Sequence, residues 1–129
     1  MELEDLKSVF RDIAYDALQK HAEELRRAFG WGTFVSNMDS IAKDVERAIR
    51  SMGGGEALCK TGLVIAHTRF EHGTESYGKA LISCTIRRPG EKEKLITAYI
   101  PMTIEVTLKR PQATVSVIDI GRREDIEVK

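Results

Sequence analysis

Residues able to do acid–base or anion-binding chemistry recur at alternate positions in the C-terminal half of this chain. His67, Arg69 and Glu71 alternate through one segment, and Arg87 and Lys109 close two later segments that also alternate. Side chains two apart share a face of a β-strand. That phase puts these five on one outer sheet face with Lys79, Ser83, Thr85, Tyr99, Thr103, Glu105 and Thr107. A histidine beside a glutamate can act as general acid and base, and arginine forks bind anions. The same composition also describes a plain solvated face, because threonine suits strands and antiparallel sheets are commonly wet on one side. The solvated face is the expectation here. Leu81, Ile118 and Ile120 fall on or near it and make part of it apolar. Single-stranded nucleic acid on such a platform calls for two or three stacking aromatics, and only Tyr99 is available, so nucleic acid is not the expected partner.

Three aromatics, Phe29, Trp31 and Phe34, crowd a short segment that includes Gly30 and Gly32. Trp31 could be a recognition residue, since flanking glycines let another backbone come close. The expected role is a hydrophobic plug that closes a helical hinge onto the sheet, as large aromatics usually serve the core.

Other motifs dissolve when their context is considered. Gly54 to Thr61 resembles a phosphate-binding loop, but Cys59 stands where glycine must precede the lysine, and the segment leads from a helix into a strand, the reverse of the required order. Cys59, Cys84, His67 and His72 lack the close pairing of zinc ligands, so no metal and no cofactor is expected. No Ser-His-Asp or Cys-His order and no dinucleotide fingerprint stands out. His21, in the first apolar stripe, reads as a hydrogen-bonded core or interface histidine.

The elements that must position these residues follow from periodicity. Leu3, Leu6, Val9, Phe10, Ile13, Ala14, Ala17, Leu18, Ala22, Leu25, Ala28 and Phe29 repeat with helical spacing and predict one helix over 2–29. A second helix is predicted over 37–52, capped by Ser36, stopped by Gly53-Gly54-Gly55, and carrying the pairs Asp39–Lys43 and Glu46–Arg50. The period then becomes two, and strands are predicted over 63–71, 77–88, 94–109 and 114–120. In the third, every even residue from Ile96 to Leu108 is apolar. That parity survives Pro101, which implies one strand either bent there or lying at an edge. The tail through Ile126 and Val128 offers a short further strand or frays.

The chain is thus expected to be one α+β domain over 1–129, with a helical hairpin (1–56) packed on one face of a four-stranded antiparallel meander (57–129). Its 129 residues fit a single domain. Lys plus Arg and Asp plus Glu both number 20, a zero balance that argues against bulk electrostatic capture of duplex DNA or an anionic membrane. The acidic N-terminus is no signal peptide, and no apolar run spans a bilayer. Two cysteines are too few for a secreted framework, so reduced thiols in the cytoplasm are expected. Charged residues make up 31% of the chain while Asn37, Gln19 and Gln112 are its only amides, a thermophile-like balance.

A non-catalytic binding or assembly module acting as a homo-oligomer is the expected function. A continuous helix over 2–29 would be about 42 Å long, more than a domain of this size covers, so the Leu6, Phe10 and Ile13 face is expected to meet a second copy. The alternatives are a small-molecule binder or enzyme using the outer face or the hinge, and a protein that binds RNA or single strands.

Overall fold

The computed structural model describes residues 2–27, 29–64, 74–109 and 112–129. Helical periodicity at the N-terminus gives α1 (Leu3–Lys20), but the helix expected over 2–29 is interrupted. His21 leaves helical geometry (φ −106°, ψ 8°), and its N–H donates to the Leu18 carbonyl three residues back, tightening the turn. Helix α2 (Ala22–Arg26) follows, and Arg27 is already extended (φ −78°, ψ 152°). Phe29–Gly30 then form a two-residue strand, β1.

Helix α3 (Trp31–Ser51) begins at Trp31 instead of 37, with extended Gly30 as its N-cap. Ser36 is therefore not the cap. It lies inside the helix, where its carbonyl accepts the Ser40 hydroxyl at 3.1 Å. The glycine triplet ends the helix as expected: Gly53 and Gly55 take φ of 76° and 104°, open to glycine without strain. At Gly54 a Cβ would stand 2.8 Å from Ile49 Cγ2.

The sheet comprises β2 (Glu56–Val64), β3 (Thr74–Arg87), β4 (Lys94–Lys109) and β5 (Gln112–Ile120), with β1 and the short β6 (Glu127–Val128). Its order is β1-β5-β4-β3-β2, and every pairing is antiparallel. The α+β meander with helices on one face is thus present. The first long strand starts at Glu56, not 63, and the expected portion over 65–71 lies outside the described residues.

Strand β4 matches its expected bounds and is not an edge, and both of its ladders shift register near Pro101, between Tyr77 and Lys79 on the β3 side and between Thr103 and Ile104 on the β5 side. Two strands share its far side. β5 leaves after Ile120 opposite Met102, and Gly121 N–H donates to the Pro101 carbonyl at 2.7 Å. After a 3-10 turn at Arg123–Asp125 the chain returns as β6 opposite Tyr99 and Ala98. The amide hydrogen that Pro101 lacks therefore falls at the seam between two partners, where no ladder bond is forfeited. The tail is a paired strand, and Ile126 is buried.

Alternation decides the core. Ile96, Ala98, Ile100, Met102, Ile104 and Val106 of β4 and Ala80, Ile82, Cys84 and Ile86 of β3 are buried beneath Phe34, Met38, Ile41, Val45 and Ile49 of α3. Leu6, Phe10 and Ile13 are buried in the same cluster, inside the chain. Each large side chain of this kind contributes roughly 1.5–3 kcal/mol by leaving water. Helix α1 is only 18 residues long, or about 27 Å, so the overlong helix expected over 2–29 is not formed.

The expectation of reduced thiols is corrected as well. Cys59 of β2 and Cys84 of β3 are register partners, with Cα atoms 4.0 Å apart, and form a disulfide. Starting β2 at residue 56 is what brings them opposite each other. Among the described residues no helix is long and apolar enough to cross a membrane.

Candidate functional site

Where α3 begins, its first turns lie beside the far end of β2. Phe34 and Met38 fill the core there, leaving Trp31 and Val35 on the next strip of the helix. Trp31 is 45% exposed, so it is not the plug that its type suggested; Phe34, 2% exposed, takes that position. The two rings pack at a centroid separation of 5.7 Å. Trp31, Phe34, Val35 and Met38 form one wall of a groove of about 340 Å³, with Asp39 on the helix side and Thr61, Gly62 and Leu63 on the strand side. The lining is mostly apolar with one carboxylate, which suits an apolar group carrying a cation nearby.

Strand β2 is the last strand of the sheet path. One of its edge amides is covered by a side chain: Cys59 N–H donates to Glu46 Oε1 at 2.9 Å. The carboxylate and guanidinium of the expected Glu46–Arg50 pair are therefore used elsewhere. Glu46 serves the strand edge, and Arg50 pairs with Glu56 at 3.4 Å.

Among the described residues, the outer face carries Lys79, Ser83, Thr85, Arg87, Tyr99, Thr103, Glu105 and Thr107, as alternation assigned them. Arg87 is exposed and its guanidinium is held by Glu93. Ser83 and Thr97 share a hydrogen bond of 3.0 Å, which tucks Thr97 into the surface. Lys129 Nζ lies 5.1 Å from the centre of the Tyr99 ring. The face also has an apolar row: in the register Leu58–Thr85–Leu95 the two leucines are 64% and 65% exposed, and Ile118 is exposed farther along. Ile120 is not part of it, because it pairs with Met102 and packs against the core. His67, Arg69, Glu71 and His72 lie outside the described residues, as does the side chain of Lys109, so the acid–base grouping has no described geometry.

A third cluster joins the helices. His21 Nε2 lies 2.8 Å from Asp44 Oδ2, Arg47 holds the other carboxylate oxygen, and Lys20 Nζ stands 3.6 Å away. Burial pushes the Asp44 carboxyl up, but the hydrogen bonds from His21 and Arg47 and the charges of Lys20 and Arg47 outweigh it and hold its pKa below the usual value. His21 is hydrogen-bonded as expected, and it does so at the helix break. The arrangement ties α1 to α3 and saturates the carboxylate, so it leaves Asp44 no free oxygen for a substrate.

Sequence reasoning missed Val35, Thr61 and Gly62 because it began the helix at 37 and the strand at 63, and it placed Asp39 and Leu63 in their elements without any sign that they meet. Val35 carried a faint signal, as an apolar residue displaced from the stripe of Met38, Ile41, Val45 and Ile49. Among the described residues no group of His, Cys, Asp and Glu is placed to hold a metal ion. Comparison with protein-family models, with curated proteins and with solved structures finds no match for this chain.

Proposed function

We propose that this chain is a non-catalytic assembly module that works as a homo-oligomer, with the open face of its sheet as the contact between copies. The observation that carries this reading is the Leu58–Thr85–Leu95 row, two leucines about two-thirds exposed on either side of Thr85, on a face that no described helix covers. Apolar side chains gathered on a rigid surface favour removal from water, at about 25 cal/mol per Å² buried. Two charges on the face are answered within the chain, Arg87 by Glu93 and Lys129 by Glu127. They therefore oppose close approach of a second copy less than free charges would, and they offer little to a nucleic-acid backbone. A cytoplasmic location belongs to this reading together with a thermophilic source, because disulfides persist in the cytosol of hyperthermophiles.

Light scattering at tens of micromolar tests it. A mass above that of one chain is expected, falling to one chain in a Leu58→Lys/Leu95→Lys variant that keeps its circular dichroism. A wild-type protein that stays a single chain throughout that range removes the reading.

A further inference from the structure

The apolar groove at Trp31 and the open edge of β2 are one place, and we propose that an extended polypeptide segment binds there, adding to the sheet beside Thr61–Leu63 as a further strand. The direction of the main-chain groups is what identifies the ligand. Facing residues of an antiparallel pair approach to about 4.5 Å when their N–H and C=O groups turn away from each other, and stand about 5.5 Å apart when they bond. Cys59 and Cys84, at 4.0 Å, are of the first kind. The Cys59 amide agrees, since it points off the sheet to Glu46.

The period of two carries that outward orientation to Thr61 and Leu63, which face Ile82 and Ala80 in the same register. Among the described residues no strand lies beyond them. Two donors and two acceptors, repeating at the spacing of a strand, thus line the floor of a groove walled by Trp31, Val35 and Met38. A small apolar molecule would satisfy the wall and leave the edge unpaired. An extended backbone satisfies both, with alternate side chains entering the groove.

The site also has ends and a charge preference. Glu46 already occupies the Cys59 amide, so an added strand stops short of that residue. Asp39 on the rim favours a lysine or arginine beside the apolar residues. This binding is independent of the open sheet face, because Leu58 and Leu95 take no part in it.

The test uses fluorescein-labelled octapeptides of alternating valine and threonine, ended either by two lysines or by two aspartates. The lysine-ended peptide should bind the full-length protein with a dissociation constant below about 1 mM, and the aspartate-ended one at least about fivefold more weakly. N-methylating the two peptide amides that would meet the edge should weaken binding at least about tenfold. Val35→Asp should weaken it similarly, with the Leu58→Lys/Leu95→Lys variant binding as wild type. Amide exchange at Thr61 and Leu63 should slow when peptide is present, while Lys60 and Gly62, already turned toward β3, stay unchanged.

Three results overturn the proposal. One is equal binding of the N-methylated peptide, which would mark a simple apolar pocket. Another is no binding of either peptide at 1 mM, roughly the weakest affinity expected of a specific site. The third is protection of Thr61 and Leu63 that rises with protein concentration alone, which would mean that a second copy fills the edge.

Discussion

Opening the Cys59–Cys84 link, by a reductant or by replacing both cysteines with alanine, frees a loop whose ends are 25 residues apart in sequence. In the chain-entropy treatment such a cross-link withholds about 12 cal/mol/K from the unfolded ensemble, or about 3.5 kcal/mol at room temperature. The folded state should change little, because strand register and the Glu46 bond to Cys59 hold β2 in place without the sulfur bridge. The loss should therefore appear as lower equilibrium stability with the same fold. With a urea slope of roughly 1–3 kcal/mol per M, the unfolding midpoint should fall by roughly 1–3 M. The assay is urea unfolding followed by circular dichroism, with and without a phosphine reductant, beside a thiol titration of the denatured, unreduced protein. The titration should find no free thiol, and the reduced protein and the alanine variant should unfold near the same midpoint. Coincident curves with and without reductant, or two titratable thiols at the outset, would refute the reasoning.

Trp31→Ala should cost about 1 kcal/mol, the scale of one aromatic contact at a half-exposed site, whereas Phe34→Ala should cost about 3–5 kcal/mol as a core deletion; equal midpoints for the two in urea would mean that Trp31 is buried after all. Glu46→Ala should cost about 1–2 kcal/mol and speed amide exchange at Cys59 while leaving Ile82 and Cys84 slow, which two-dimensional NMR can follow. Asp44 gives a pH dependence of defined sign. Its folded pKa lies below the unfolded value of about 3.9, so its stabilisation is complete above that value and is lost as pH falls through the folded pKa. Asp44→Asn should flatten the acid limb of the stability curve, and an unchanged acid limb would show that the His21–Asp44–Arg47 cluster contributes nothing there.

Which features could be read from residues alone depended on how local their causes are. The strand over 94–109 declared itself because seven even residues in a row are apolar, and a period of two has no competing interpretation over that length. The core faces of β3 and β4 followed from the same parity. The break at His21 left no mark, since no glycine or proline stands there and its partner Asp44 belongs to another helix. The early starts of α3 and β2 were hidden for a related reason. Trp31 to Val35 has the composition of an aromatic hinge, and only the extended Gly30 pairing with Thr114 marks it as the start of a helix, while Glu56 to Gly62 has too few apolar residues to display a period. Residue type alone assigns Trp31 the buried position that Phe34 holds. The rest of the groove comes from two elements brought together by tertiary packing, and no local pattern records such a meeting.

The seam in β4 has a kinetic meaning. The β3–β4 hairpin closes through a short turn between Arg87 and Lys94, so it can form early and locally. The side of β4 before Pro101 has to wait for the end of the chain, where Thr97 and Lys129 exchange two hydrogen bonds of 2.9 Å. Arg11 Nε reaches the Ile126 carbonyl across 115 residues of sequence, fastening α1 to that same last segment. Contacts that distant carry the largest loop-closure entropy and form late. Weakening them, for instance with Arg11→Ala, changes the rate of unfolding and leaves the rate of folding nearly untouched. Strand β6 should thus act as a latch on the hairpin, and loosening it should shorten the life of the folded molecule.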